Sequence, residues 1–353
     1  MVAIGLLDIP PEIQLQIAEF VEPLRSLKAL SFTSRSLRTI AQSMLFERLR
    51  IALGTKLRGS VDDLLANPRI CAAIRFLELR GPWLFDSSTP RNDEEQLSLI
   101  QKILPEMVGL REVSIYHVHL SKTFLDTFLG IAANMPLQIN LAWNIHPYSV
   151  IPTTHTPLQI SHLYVVTTTL RAPLEFYRSM FHASATTLTG LNILADGAEL
   201  MGLAGISLPF LHDLTLKITS ENEVSRSSTA AFLTAQRAIR KLHLHLIGEV
   251  GPFPAMPPNA LPNLRELKTS TELVHLLVPG RPVEEIEVTL TLKYYQDWFG
   301  EEVGESTARV RRLRVHLHTA ILDTRMVKRM VTILPFLESL WLPVFDDVSG
   351  PFA

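Results

Sequence analysis

The sequence predicts an α/β protein in which a small N-terminal module of three helices is followed by a curved solenoid with a parallel sheet on its concave side. Three observations predict this fold: a helical apolar pattern near the N-terminus, a short apolar motif that recurs along the rest of the chain, and segments of helical period between its copies. The expected division is residues 1–50 for the helical module, 51–73 for a linker and 74–353 for the solenoid.

The three N-terminal helices are predicted from apolar spacing and from prolines. Pro10 and Pro11 pre-set the φ angle of a helix start, and the break at Pro23 separates the first helix from the second. The apolar positions of the three helices are Ile13 and Ile17, Leu27 and Leu30, and Leu37, Ile40 and Ala41. Because a bundle of about 40 residues rarely supports itself, we expect a partner to cover its surplus apolar surface.

The string IPPEI at residues 9–13, followed by an apolar-rich stretch that ends in TSRSL at 33–37, resembles the F-box in its fungal-type variant. The resemblance implies a non-catalytic substrate-recognition subunit of an SCF-type (Skp–cullin–F-box) ubiquitin ligase. Such a subunit docks a Skp-type adaptor, and through it a cullin scaffold, and needs no cofactor. The resemblance assigns adaptor binding to Ile9, Pro10, Ile13, Ile17, Leu27, Leu30 and Leu37, the last at a position where many members carry tryptophan.

The residues leave a second interpretation open. In that interpretation the helices only cap the first strand of a repeat-based interaction scaffold, as terminal repeats must, and the chain has no ubiquitin-ligase role. Co-purification with a Skp-type adaptor separates the two functions. An enzyme is a distant third class, because the chain contains no G-x-x-x-x-G-K, G-x-G-x-x-G, G-x-S-x-G or H-E-x-x-H string.

The recurring motif has the form apolar-x-x-apolar-x-apolar. The middle apolar residues of its eleven copies lie at 77, 113, 139, 163, 191, 214, 242, 267, 286, 313 and 340. Most steps fall in the window of about 20 to 29 residues typical of leucine-rich repeats, which the region resembles in a degenerate form. Segments of helical period lie at 93–104, 121–133, 173–181, 229–238 and 323–334. Alternating strands and helices predict stacked units around a parallel sheet.

The residue between the last two apolar positions of each strand should project from the concave face. These residues are Glu78, Ser114, Asn140, Tyr164, Asn192, Thr215, His243, Lys268, Glu287, Arg314 and Trp341. Charge and an aromatic side chain in the C-terminal half favour a protein-binding surface, and the alternative is a merely solvated sheet face. The candidate substrate-binding residues are His243, His245, Lys268, Glu287, Arg314, His316 and Trp341.

Histidines recur as H-x-H pairs at 117/119, 243/245 and 316/318, which on a strand would put both rings on one face. Three strand steps, roughly 14 Å at ~4.8 Å per strand, separate the second pair from the third, so one tetrahedral metal centre is not expected. If these histidines contact the partner, binding should vary between about pH 6 and 7.5.

Composition excludes several other partners. A formal net charge of −2 offers no field for nucleic acid or anionic lipid, and no apolar stretch is long enough for a membrane span. The single cysteine, Cys71, excludes an intrachain disulfide and favours the cytosol or nucleus. The proline-rich segment Gly248–Pro262 is predicted as a surface loop, either a solvated connection or a functional excursion.

Overall fold

The computed structural model describes residues 9–19, 24–33, 35–53, 58–81, 93–142, 156–166, 174–195, 203, 205–218, 223–246, 253–290, 301–317 and 324–342. Its chain divides into two compact units, Met1–Leu163 and Tyr164–Ala353. Both units are α/β, and every described strand pair is parallel.

The first unit begins with the three predicted helices. Its helices are α1 (Pro11–Glu19), α2 (Leu24–Ser31), α3 (Arg35–Leu45), α4 (Arg58–Leu65), α5 (Pro68–Ala73), α6 (Asp93–Ile103) and α7 (Lys122–Ala132). Its strands are β1 (Arg48–Ala52), β2 (Phe76–Arg80), β3 (Glu112–Tyr116) and β4 (Leu137–Ala142), and β5 (Ile160–Val166) contains the point of division. Strands β1 to β4 pair in sequence order.

The second unit repeats the alternation of strand and helix. Its helices are α8 (Leu174–Ser184), α9 (Glu223–Ala235), α10 (Thr271–Leu277) and α11 (Thr324–Ile333). Its strands are β6 (Gly190–Ala195), β7 (Asp213–Ile218), β8 (Lys241–Leu246), β9 (Glu266–Ser270), β10 (Glu285–Leu290), β11 (Arg312–Leu317) and β12 (Ser339–Trp341). Strands β6 to β12 pair in sequence order, as stacked repeats require.

The eleven strands expected from the apolar motif are confirmed as β2 to β12. The register is confirmed too, since the middle apolar residues pair with one another, from Leu191 through Leu242 to Leu340 in the second unit. Leu77, Val113 and Ile139 align in the same way in the first unit and are buried. The alternation of apolar and polar residues therefore fixes which side of each strand faces the core.

Returning helices cover the apolar side of the strands. The predicted helices at 93–104, 121–133, 173–181 and 323–334 are confirmed as α6, α7, α8 and α11, and α9 begins six residues earlier than the segment 229–238. Helix α7 starts at Ser121, whose hydroxyl accepts a hydrogen bond from the Phe124 N–H at 3.3 Å. Phe124 and Phe128 of that helix stack inside the first unit with ring centroids 6.2 Å apart.

The segment 51–73, expected as a linker, is part of the packed first unit. It includes the end of β1, which pairs with β2, and the helices α4 and α5. Val61 and Cys71 are fully buried, so these helices contribute core side chains. The apolar motif does not predict β1, because this strand carries only one buried position.

Two buried polar side chains form hydrogen bonds with backbone groups of the segments between the strands. Buried Gln236 accepts a hydrogen bond from the Leu208 N–H at 2.8 Å and donates to the Ile206 carbonyl at 2.6 Å. Buried Arg281 holds the described part of the proline-rich loop by donating to the carbonyls of Pro257 (3.1 Å) and Ala260 (2.8 Å). Residues 248–252 of that loop lie outside the described residues.

Candidate functional site

The first candidate surface is the exposed side of α1. Gln14 and Ala18 face the interior of the module, and the Gln14 amide donates to the Ile9 carbonyl at 2.7 Å. Ile13, Leu15 and Ile17 are exposed by 43%, 39% and 39%. Ile13 and Ile17, the apolar positions predicted for this helix, are therefore open to solvent, and exposed apolar surface is unfavourable.

The other predicted adaptor residues divide by burial. Pro10 is exposed, and Ile9 and Leu30 are half-buried. Leu27 and Leu37 are 5% and 4% exposed and lie in the module, in which α2 packs on α3. Leu27 and Leu37 thus stabilise the module, whereas apolar side chains of α1, and Phe32 just after α2, are open to solvent.

The second candidate surface lies on the open side of the strands in the second unit. We call it the charged face and define it as Lys241, His243, Glu266, Lys268, Glu285, Glu287, Arg312, Arg314 and His316. Strand pairing aligns these side chains in rows, and the middle row runs Thr215, His243, Lys268, Glu287, Arg314, Trp341. Five of the seven predicted substrate-binding residues therefore share one row, and His245 and His316 stand two residues further along β8 and β11.

The row at the strand starts contains two ion pairs and one further acid, Asp213, which aligns with Lys241. Lys241 Nζ lies 2.9 Å from Glu266 Oε2, and Arg312 pairs with Glu285. Each of these bases meets one acid on the neighbouring strand. The hydrogen bond and the charge of Glu266 raise the pKa of Lys241.

The middle row is organised around Glu287. Its carboxylate contacts Lys268, accepts a hydrogen bond from His316 Nε2 at 2.9 Å, and lies 3.9 Å from Arg314 Nη1. Burial alone would raise the pKa of Glu287, but the hydrogen bonds and charges of Lys268 and His316 outweigh it, so the pKa is lowered. Glu287 is therefore an ionised carboxylate shared by several donors.

The His316 and Trp341 rings close the far end of this row. Their centroids are 5.1 Å apart and the rings are tilted by 49°, while Trp341 remains 47% exposed. The open side of the strands here forms a groove of ≈ 340 Å³, whose lining includes Thr215, His243 and Glu287. Charge on its floor and an exposed aromatic ring beside it are typical of protein-binding surfaces.

The pH range expected for histidine titration does not apply to His243. Burial, followed by the charges of Lys268, Lys217 and His245, lowers the pKa of His243 to about 4. An imidazole with this pKa is neutral between pH 6 and 7.5, so His243 would not contribute to a variation of binding in that range.

The histidine pairs do not assemble a metal site among the described residues. Strand β3 ends at Tyr116 and His117 has a positive φ of 57°, so the first pair does not lie on a strand as expected. Within the described ranges, no group of three or more histidine, cysteine or acidic side chains could hold a metal ion. His318 lies outside the described residues.

The corresponding face of the first unit carries less charge. Glu78 pairs with Arg50 Nε at 3.1 Å and with Arg80, and the Asn140 amide donates to Glu112 at 2.8 Å and to Ser114 at 2.9 Å. The Arg50 and Asn140 contacts join neighbouring strands, whereas Arg80 lies on the same strand as Glu78. No described helix has both the length and the apolar character that crossing a membrane requires.

No family model and no curated protein matches the sequence of this chain. The two candidate functional surfaces are the exposed apolar side chains of α1 and the charged face.

Proposed function

We propose that this chain is a non-catalytic substrate receptor of an SCF-type ubiquitin ligase, which binds a Skp-type adaptor through its N-terminal helices and a protein substrate through its strands. The observation that carries the proposal is the exposure of Ile13 and Ile17, one turn apart on α1, shortly after the Ile9-Pro10 pair. Three short helices leave this apolar surface open, and a partner that covers it would remove it from water at about 25 cal/mol per Å².

The charged face supports the substrate-binding half of the proposal. A row of charged side chains ends at an exposed tryptophan, and interface energy concentrates around aromatic and arginine side chains. No catalytic role is assigned to these residues. The chain would contribute selection of the substrate, and the cullin-bound machinery would contribute the chemistry.

One observation favours the alternative, an interaction scaffold whose N-terminal helices only cap its first strand. Helix α3 ends at Leu45 and β1 begins at Arg48, and the Glu47 carbonyl accepts hydrogen bonds from the N–H groups of Arg75 and Phe76. The helical module is thus joined to the paired strands of the first unit without a spacer. A cap needs this connection, but it does not need the exposed isoleucines of α1.

Co-expression of the full chain with a Skp-type adaptor tests the proposal. The wild type should co-purify with the adaptor, and a variant with both Ile13→Glu and Ile17→Glu should lose capture by about a hundredfold because two charges enter an apolar contact. Its thermal unfolding should match the wild type, since both side chains are exposed. Changing Ile9 and Pro10 to alanine should also abolish capture.

The matched control places two glutamates at exposed polar positions of the same module but outside α1, Ser26→Glu with Gln42→Glu. This control adds the same charge and should keep adaptor binding. Equal capture of the isoleucine variant and the wild type would overturn the assignment of α1. Failure of the wild type itself to bind any Skp-type adaptor would leave the scaffold as the function.

A further inference from the structure

The two rows of the charged face differ in how their charges balance. At the strand starts, Lys241 pairs with Glu266 and Arg312 with Glu285, and Asp213 aligns with Lys241, so this row has three acids for two bases. The middle row has one acid, Glu287, which Lys268, Arg314 and His316 all contact. In the described part of the chain, Lys217 of the next row forms no ion pair. Cationic groups therefore outnumber acids in the middle of the face.

The excess cations are accessible. The Lys268 and Arg314 side chains are 43% and 58% exposed, whereas that of Glu287 is only 20% exposed. Glu287 thus lies lower in the groove, between two bases on the strands to either side. Arg314, at 3.9 Å, is within ion-pair range of that carboxylate but beyond a direct hydrogen bond, so it retains donors for another acid.

We infer that this groove binds an acidic, extended segment of the protein substrate, whose carboxylate competes with Glu287 for Lys268 and Arg314. An acidic ligand is favoured by charge complementarity, because its carboxylate would neutralise positive charge of Lys268 and Arg314 that Glu287 alone does not neutralise. Trp341, exposed at the end of the same row, would pack against an apolar or aromatic residue beside the acid. The inference rests on the substrate-binding half of the proposed function and gives that substrate a chemistry.

Competition makes Glu287 different from every other acid of the face. Replacing it with glutamine removes the intramolecular competitor and leaves Lys268 and Arg314 unshared, so binding of an acidic ligand should become tighter. Replacing Glu285 with glutamine removes the same charge from the same strand, two residues away, but frees Arg312 from a one-to-one pair in the other row. Glu285→Gln is therefore the matched control for a simple change in net charge.

The test is fluorescence anisotropy with the full-length chain and a short fluorescein-labelled peptide in which glutamate alternates with alanine and one tyrosine is included. A second peptide has glutamine in place of each glutamate. The wild type should bind the acidic peptide and not the glutamine peptide. Lys268→Gln and Arg314→Gln should each weaken binding by about tenfold, because each removes a charge-assisted hydrogen-bond donor. Glu287→Gln should tighten binding by about fivefold, and Glu285→Gln should change it by less than about twofold.

Two results would overturn the inference. Equal tightening by Glu287→Gln and Glu285→Gln would mean that only net charge attracts the peptide. Equal binding of both peptides to the wild type would mean that the groove does not select acids. Thermal unfolding verifies that each variant is folded, and all four substitutions lie on the charged face. Because the assay contains only this chain and a peptide, its failure leaves adaptor binding by α1 untouched, and failure of adaptor binding leaves this result intact.

Discussion

Lys268 and Arg281 are two cations of the second unit, and the protein satisfies them in opposite ways. Lys268 is 43% exposed and contacts the Glu287 carboxylate on the next strand. Arg281 is 1% exposed and donates to the carbonyls of Ala260, Leu276, Pro279 and Pro257 at 2.8 to 3.1 Å. No carboxylate contacts Arg281 in the part of the chain that the structure describes. One cation can exchange partners with a ligand, and the other holds chain segments together.

Exposed and buried cations of this unit therefore contribute differently to stability. An exposed ion pair contributes about 0–1 kcal/mol because water competes for both partners. A buried guanidinium with its donors satisfied by carbonyls is costly to lose, since every carbonyl that it served is left without a partner. Burial also lowers the pKa of Arg281, although a guanidinium remains charged at any physiological pH.

The largest expected difference in unfolding free energy is between substitutions on the two sides of β8. Leu242→Asp should lower the free energy of unfolding by about 3–5 kcal/mol, because it places an unpaired charge among buried side chains. His243→Asp should change it by less than about 1 kcal/mol, because the side chain lies in the groove beside Lys268. Urea denaturation measures both. Similar losses would show that the inner and outer register is wrong.

The second largest difference in stability is expected between variants that remove Arg281 and Lys268. Arg281→Met should lower the free energy of unfolding by about 2–4 kcal/mol, since several buried carbonyls lose their donor. Lys268→Met should lower it by less than about 1 kcal/mol, because the pair that it breaks is partly exposed. Limited proteolysis adds a second measurement, in which only the Arg281 variant should become cleavable at residues 253–262. Equal stability of the two variants would contradict the distinction between an exchangeable and a structural cation.

His243 is half-buried and lies beside Lys268, and its substitution is expected to have the smallest effect on the unfolding free energy. Its pKa is lowered to about 4 in the folded chain, from about 6.5 when unfolded. Between these values the unfolded chain binds more protons, so stability rises with pH and is lost as pH falls through the window.

His243→Gln should therefore flatten the dependence of unfolding free energy on pH between about 4 and 6.5, by about 1 kcal/mol after allowance for solvent screening. Thr215→Gln, a neighbouring position of the same row with no titrating group, should keep the wild-type slope. Chemical denaturation at a series of pH values measures it. An unchanged slope in the His243 variant would show that its imidazole is protonated in the folded chain as readily as in the unfolded one.

Apolar spacing was sufficient to predict β2 to β12, since each needs buried residues at alternate positions and a turn before the next helix. The same spacing correctly placed Lys268, Glu287, Arg314 and Trp341 on one row. It missed β1, which has one buried position, and α10, a helix of seven residues. Short elements of this kind owe their stability to neighbours in space and carry a weak local signal.

The structural roles of Gln236 and Arg281 had no local signal at all. Gln236 reaches the backbone of residues 206 and 208, and Arg281 reaches residues 257 and 260. A polar residue in a helix end or turn is ordinary in sequence, and its burial becomes visible only when a distant segment is packed on it. Where repeats lack regular turn residues, buried polar side chains that bond to distant backbone groups are expected.

The sequence by itself determined which residues of each strand face the core and which face the groove, because a period of two residues assigns sides whatever the neighbouring strand is. It also determined that the N-terminal helices carry more apolar surface than they bury. Tertiary structure decided that Ile13 and Ile17 point outward while Leu27 and Leu37 point inward. It also decided that Glu287 is contacted by three basic side chains while Glu285 is contacted by one, since pairing across strands depends on register and distance between residues far apart in the chain.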